Sequence, residues 1–314
     1  LTIADWDGAW KDSLTTFLRH FLALFFPQVH DDIDWSRGFE PLDKELQKIA
    51  PDAETGRRTV DLLFRVWRRS GEERWVLIHI EVQAQRVAGF SARVHHYHFR
   101  IFDQYRLPVA SFVVLADNEP GWRPGPYTYD LWGCRGEFHF PTVKLLDFAE
   151  RADELEKSSN PFALVVLAHL KARETANDHG RRISWKVRLL KSLYDRRWTR
   201  EEVRQLLRTI DWFLTLSKAD NQTVREAIEA DEQEKKMPYI SSFEQMAMEQ
   251  GEARGEARGR VEGIALALKL KFGEAGQQLA AEVREINNLE TLKRVTDSIE
   301  AAASPEEVRR IWAD

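Results

Sequence analysis

Apolar residues along the chain follow two rhythms. Between residues 10 and 26, WKDSLTTFLRHFLALFF sets Leu14, Phe17, Leu18, Phe21, Leu22 and Phe25 three or four apart, which predicts an amphipathic helix that Pro27 stops. The runs VDLLFRVW at 60–67 and WVLIHIEVQ at 75–83 are dense in branched and aromatic residues. RRSGEER joins them, with Ser70-Gly71 as the turn signal, so together they predict a β-hairpin. FSARVHHYHFRIFDQY at 90–105 returns to helical spacing, with Phe90, Val94, Tyr97, Ile101 and Tyr105 on one face. VASFVVLA at 109–116 is a buried strand, and EFHFPTVKLL at 137–146 a further strand interrupted by Pro141. FEPLDKELQKIA at 39–50 fits a short helix or a strand equally well. A strand, a helix and a second strand in succession make an α/β layout in which 109–116 runs parallel to 75–83.

After about residue 150 the pattern becomes helical throughout. NPFALVVLAHLKA opens with Asn160 as a cap and Pro161 in the first turn, followed by RISWKVRLLKSLYD, TREEVRQLLRTIDWFLTL and DNQTVREAIEADEQEKK. From 249 to 263, EQGEARGEARGRVEG repeats glycine every fourth position, at Gly251, Gly255, Gly259 and Gly263. A glycine inside a helix costs roughly 1 kcal/mol relative to alanine. Four in register therefore point to a linker or a close helix contact. Three segments result: an α/β region over 1–150, an all-α region over 151–245, and the glycine repeat with C-terminal helices over 246–314.

If the hairpin centres on Gly71, opposed residues are equidistant from it. Val60 then faces Val82, Leu62 faces Ile80, Phe64 faces Ile78 and Val66 faces Val76, giving one wholly apolar surface that a slip of one residue would destroy. The same register sets Asp61 opposite Glu81 on the other surface, with Gln83 two positions along. Directly opposed residues have Cβ atoms about 4.5–5.5 Å apart, and like charges there repel. The acid pair therefore calls for a cation, and oxygen ligands suit Mg²⁺ or Mn²⁺. Such an ion activates water and neutralises charge at a phosphodiester under in-line attack. Gln83 can orient water or contact a phosphate, but as an amide it is neither base nor cation. His79 shares this face and is expected to pack or support rather than to ligate.

Composition narrows the reading. With 43% hydrophobic and 31% charged residues the 314-residue chain is expected to be globular. Its longest apolar runs, such as FALVVLA at 162–168, fall well short of the ~20 residues of a membrane span. The first residues, LTIADWDGAWKD, lack the basic start and apolar core of a secretory signal. A single cysteine, Cys134, cannot form an internal disulfide and fits a reducing, cytoplasmic setting. The net charge of −5 argues against nucleic acid as a partner. Yet residues 57–106 hold ten arginines and no lysine against five acids, a balance that a phosphate-facing site or an arginine-rich solvated face would show. Arg57 and Arg58 precede the Asp61 strand at the mouth of the inferred site. Arg93 and Arg100 lie on one face of the 90–105 helix and could hold phosphates. His95 and His98 have the spacing of a metal pair but lack a third ligand for zinc.

Asp61 on one strand and Glu81-Val82-Gln83 on the next resemble the PD-(D/E)XK nuclease signature, with Gln83 in the position of the lysine. With RRTVDLLFRV, VLIHIEVQ, FRIFDQY, NPFALVVLAHL, IDWFL, MPYISSFE and the glycine repeat before KFGE, nearly the whole chain resembles the bacterial Rpn family of recombination-promoting nucleases. The resemblance implies a restriction-endonuclease-like mixed β-sheet flanked by helices, followed by an all-α C-terminal extension. It also implies metal-dependent DNA cleavage in a mobile-element setting. Asp61, Glu81 and Gln83 become the catalytic residues, with Asp61, Glu81 and, from a helix before the first strand, Glu45 as metal ligands. Arg57, Arg58, Arg93 and Arg100 become the DNA contacts, and the C-terminal helices a means of self-association. The runner-up is a catalytically weak DNA-binding or assembly factor of a mobile element.

Overall fold

A computed structural model describes residues 6–42, 59–69, 75–194, 196, 198–235, 240–283, 289–299, 302 and 304–313. By its contacts the chain divides into two compact units, Leu1–Lys236 and Met237–Asp314.

The first unit is built on a five-stranded mixed sheet. Strands β1 (Phe39–Pro41), β2 (Thr59–Trp67), β3 (Trp75–Gln83) and β4 (Val109–Leu115) lie side by side. The edge beyond β4 is taken by β7 (Thr142–Lys144). β1, β2 and β3 pair antiparallel, whereas β4 runs parallel to β3 and β7 parallel to β4. The expected hairpin register is the observed one: Val60 pairs Val82, Asp61 pairs Glu81, Leu62 pairs Ile80, Phe64 pairs Ile78 and Val66 pairs Val76. Helix α3 (Phe90–Tyr105) is the crossover between β3 and β4, and it buries Phe90, Val94, Tyr97 and Ile101. The 39–50 stretch begins as strand β1; its remainder from residue 43, and the Ser70-Gly71 turn, lie outside the described residues.

Pro141 splits the 137–146 run. Residues before it belong to a separate hairpin of β5 (Tyr127–Leu131) and β6 (Cys134–Phe138), and those after it form β7. Trp132 and Gly133 make the turn with φ of 52° and 86°. Two consecutive positive φ values are the geometry that matches the twist of a tight hairpin.

The two sheet faces are covered differently. The even-numbered face, with Leu62, Phe64, Ile78, Ile80 and Phe112, is turned towards α1 (Asp7–Phe25): the ring of Phe26, just after that helix, packs tilted against Phe112 at 4.5 Å. α1 buries Leu14, Phe17, Leu18, Phe21 and Leu22 and kinks at Phe17, and Pro27 opens the short helix α2 (Pro27–Asp32) at its first position. The odd-numbered face receives α3. Leu63 and Leu77 cluster with Ile101, and Val113 and Leu115 cluster with Phe90 and Val94.

The helices between residues 150 and 236 belong to the same unit as the sheet. Following the short α4 (Ala152–Lys157), helix α5 (Pro161–Glu174) is buried from Pro161 through Ala172, which explains its unbroken apolar run. Asn160 caps it through its side chain, as expected. Phe162 of α5 packs on Phe21, and α6 (His179–Lys191), α7 (Arg200–Phe213) and α8 (Lys218–Lys235) follow. Thr199 and Glu202 close a reciprocal capping box at the start of α7.

The second unit contains α9 (Ile240–Val283), α10 (Leu289–Ile299) and α11 (Pro305–Ala313). Its core gathers Ile264, Leu268, Val283, Leu292, Val295 and Val308. The backbone stays helical through Gly251, Gly255, Gly259 and Gly263, so the repeat is not an irregular linker. The break in α9 falls instead at Gly273, whose φ is 61°. Among the described residues no helix is long and apolar enough to cross a membrane.

One buried ion pair ties the parallel edge of the sheet together. Lys144 Nζ donates to Asp117 Oδ1 (2.6 Å), Asp117 Oδ2 (2.7 Å) and the carbonyls of Glu119 and Trp122, with both side chains essentially fully buried. Removing one partner strands a charge in the interior. Lys144→Met is expected to lower stability by about 3–5 kcal/mol in urea unfolding followed by tryptophan fluorescence, and Asp117→Leu added to it should recover part of the loss.

Candidate metal centre

Asp61, His79, Glu81 and Gln83 project from the odd-numbered face of β2 and β3, under α3. Ser111 reaches the same layer from β4, because the parallel register sets it beside His79. Alternation along the strands places all of them on one surface. Helix α3 then excludes water from most of that surface: His79, Glu81 and Gln83 are buried and Asp61 forms the lip.

Asp61, His79 and Glu81 each offer one ligand atom, all within 4.8 Å of one another. Asp61 Oδ1, His79 Nε2 and Glu81 Oε2 are buried without a hydrogen-bond partner. His79 Nε2 lies 3.6 Å from Asp61 Oδ1, too far for a good hydrogen bond. On its other side His79 Nδ1 is 3.3 Å from Ser111 Oγ, which is itself 3.1 Å from His98 Nδ1.

The acid pair already has one cation. Arg93, on the inner side of α3, donates through Nη2 to Glu81 Oε1 and, at 2.6 Å, to Gln83 Oε1. The Gln83 amide is oriented by its own donation to the Gln85 carbonyl at 2.7 Å. The acids' closeness is met in part by this guanidinium, which engages one Glu81 oxygen and leaves Oε2 bare.

Burial is the main reason the Glu81 carboxyl is pushed up to about 7; the Asp61 charge adds to it, and Arg93 opposes it. Burial also lowers His98 to about 4, helped by the neighbouring His79 and His95, so His98 is neutral at ordinary pH.

The sequence-derived site is thus partly assembled. Asp61, Glu81 and Gln83 come together as expected. Arg93 points inward onto the acids, whereas Arg100 is an exposed residue of α3. Glu45, Arg57 and Arg58 lie outside the described residues. His95 and His98 pack on aromatic rings: His95 stacks on Tyr127 at 4.6 Å, and His98 meets Phe138 at 4.5 Å. His79 and Ser111 join the layer without having been named among the site residues. The signal for His79 was its place two residues before Glu81, and for Ser111 a polar residue inside an apolar strand. Two surface clefts, one beside Phe25, Arg123 and Phe148 and one beside Arg19, Trp35 and Arg69, include none of these residues. No protein-family model, curated protein or solved structure matches the chain.

Glu81 gives this centre a pH signature. The folded protein keeps the carboxyl proton above the pH at which the unfolded chain, with an ordinary value near 4.5, releases it. This group's contribution is therefore most favourable below that pH, declines as pH rises towards about 7, and is level beyond. In EDTA, Glu81→Gln is expected to cancel a decline of roughly 1–3 kcal/mol. The gap in Tm between variant and wild type should be small at pH 5 and widest above pH 7; a gap that does not change with pH contradicts the assignment.

Proposed function

We propose that this protein is a divalent-metal-dependent DNA endonuclease that hydrolyses phosphodiester bonds, in the manner its resemblance to the Rpn family and the PD-(D/E)XK signature implies. The observation that carries the reading is the convergence of Asp61 and Glu81, each with one oxygen buried and unpartnered, on paired positions of adjacent strands. A lone acid pair on a solvated face would lie open to solvent; here one oxygen of each acid is buried. The antiparallel β2–β3 pair, followed by a crossover helix and a parallel strand, supports the restriction-endonuclease-like form of the mixed sheet.

Asp61 and Glu81 would hold Mg²⁺ or Mn²⁺. When bound, such an ion supplies an acidified water and charge neutralisation at the phosphate. Gln83 holds Arg93 at the acid pair and keeps a neutral amide where the signature has a lysine. Arg93 brings a permanent cation with a planar donor set suited to a phosphate oxygen. A second reading, a catalytically weak DNA-binding or assembly factor, is favoured by the Arg93–Glu81 ion pair, since a carboxylate occupied by arginine is partly withdrawn from a metal.

Nicking of supercoiled plasmid separates the two. With Mg²⁺ or Mn²⁺ the purified full chain is expected to convert supercoiled to open-circular DNA, and EDTA to stop it. Asp61→Ala and Glu81→Ala should each reduce the rate by about 100-fold or more, the scale of losing a group that stabilises transition-state charge. Salt-sensitive DNA retention without any metal-dependent nicking would instead favour the assembly factor. Nicking that survives both substitutions would remove Asp61 and Glu81 from the mechanism.

A further inference from the structure

His79 has no evident reason to be buried where it is. It occupies a strand position where an aliphatic residue would pack without cost, yet its ring is fully buried and its Nε2 meets no hydrogen-bond partner. A buried polar atom left in that state is a penalty that native structures avoid unless the group has a further use.

We infer that His79 is the third protein ligand of the metal centre, through Nε2, and that its nitrogen makes the centre prefer a transition ion such as Mn²⁺ over Mg²⁺. This rests on the reading of Asp61 and Glu81 as metal-holding acids, and deepens it by assigning the donor set. Three features carry it. First, Asp61, His79 and Glu81 each bring one ligand atom within 4.8 Å of the others, and Nε2 itself lies 3.6 Å from Asp61 Oδ1. Ligand atoms about 2.1 Å from a common ion lie roughly 3.0–4.2 Å apart, so a small inward adjustment satisfies the geometry.

Second, the far side of the ring is built for this role. A ligating histidine normally donates its other ring N–H to an outer partner, which fixes ring orientation and tautomer. His79 Nδ1 has such a partner in Ser111 Oγ at 3.3 Å. The hydroxyl carries one proton and stands between two rings, 3.1 Å from His98 Nδ1. Giving its proton to His98 leaves it free to accept the N–H from His79 Nδ1. That arrangement bares the Nε2 lone pair towards the two carboxylates. The opposite tautomer would aim an Nε2–H at Asp61 Oδ1 across 3.6 Å, beyond good hydrogen-bond reach. Ser111 is thus a positioning residue, seated by the parallel β3–β4 register that pairs it with His79.

Third, the donor chemistry discriminates between ions. Oxygen-only sites suit Mg²⁺ and Ca²⁺; adding imidazole shifts preference towards first-row transition ions, which take nitrogen readily. Two carboxylates and one imidazole leave room for waters in a six-coordinate shell.

The test uses the full chain, stripped of metal and loaded with one equivalent of Mn²⁺, read by electron spin-echo modulation. Wild type is expected to show ¹⁴N modulation from a directly bound imidazole, and protein grown with ¹⁵N-histidine should convert that modulation to the ¹⁵N pattern, a measurement needing no substitution. His79→Gln should lose the modulation, bind Mn²⁺ at least about tenfold more weakly, and let Mg²⁺ compete at lower excess than it does in wild type. Ser111→Ala should keep the modulation and weaken Mn²⁺ by roughly 10- to 100-fold, as loss of an outer partner does. Mn²⁺ bound without nitrogen modulation, or modulation unchanged by His79→Gln or by ¹⁵N-histidine, would overturn the role of His79 while leaving the two acids as a metal site. Failure of wild type to bind Mn²⁺ at all would overturn both.

Discussion

Two carboxylates held opposite one another beneath a helix are the constraint around which the first unit is organised. The pairing of Asp61 with Glu81 follows from the strand register, and the register follows from the apolar alternation on the other face. The sheet therefore cannot relieve the repulsion by slipping, because a one-residue shift would turn Leu62, Phe64, Ile78 and Ile80 away from the α1 side and put polar residues in their place. What remains is neutralisation. The fold supplies it through Arg93 and through a Glu81 carboxyl whose proton is held to near-neutral pH.

Helix α3 has a double part in this. Phe90, Val94, Tyr97 and Ile101 seal the odd-numbered face and create the low-dielectric setting in which the acids are costly. Arg93, on the same helix, carries the compensating charge into that setting. A covering element that both raises a cost and offsets it binds secondary structure to electrostatics: moving α3 would hydrate the acids and remove their counter-ion together. Asp117 and Lys144 repeat the principle at the parallel edge. There a fully satisfied ion pair fixes the end of β4 to the end of β7 without any unpartnered atom on the lysine.

Much of the sheet was legible from local pattern. Alternation gave β2, β3 and their partners, helical spacing gave α1 and α3, and a helix between strands gave the parallel β3–β4 pair. The pairing of Asp61 and Glu81 was legible too, because cross-strand opposition is arithmetic once the register is known. Less legible was the segment around Pro141, where one apolar run serves two sheets, and the repeat from Gly251, whose spacing is compatible with a helix as well as a linker. In α5 the apolar residues show no single face, and only burial against α1, α7 and its other helical neighbours explains why.

By itself the sequence determined which residues share a surface, since side chains alternate along a strand and recur every three to four residues on a helix. Direction and distance between elements far apart in the chain were beyond it. That Arg93 turns towards Glu81 instead of outward to a phosphate, that Ser111 stands between His79 and His98, and that Lys144 meets Asp117 were decided by how α3, β4 and β7 settle on the sheet. The physical reason is that periodicity is a local property of the backbone, whereas charge compensation in a buried layer depends on groups brought together from elements that share no local pattern.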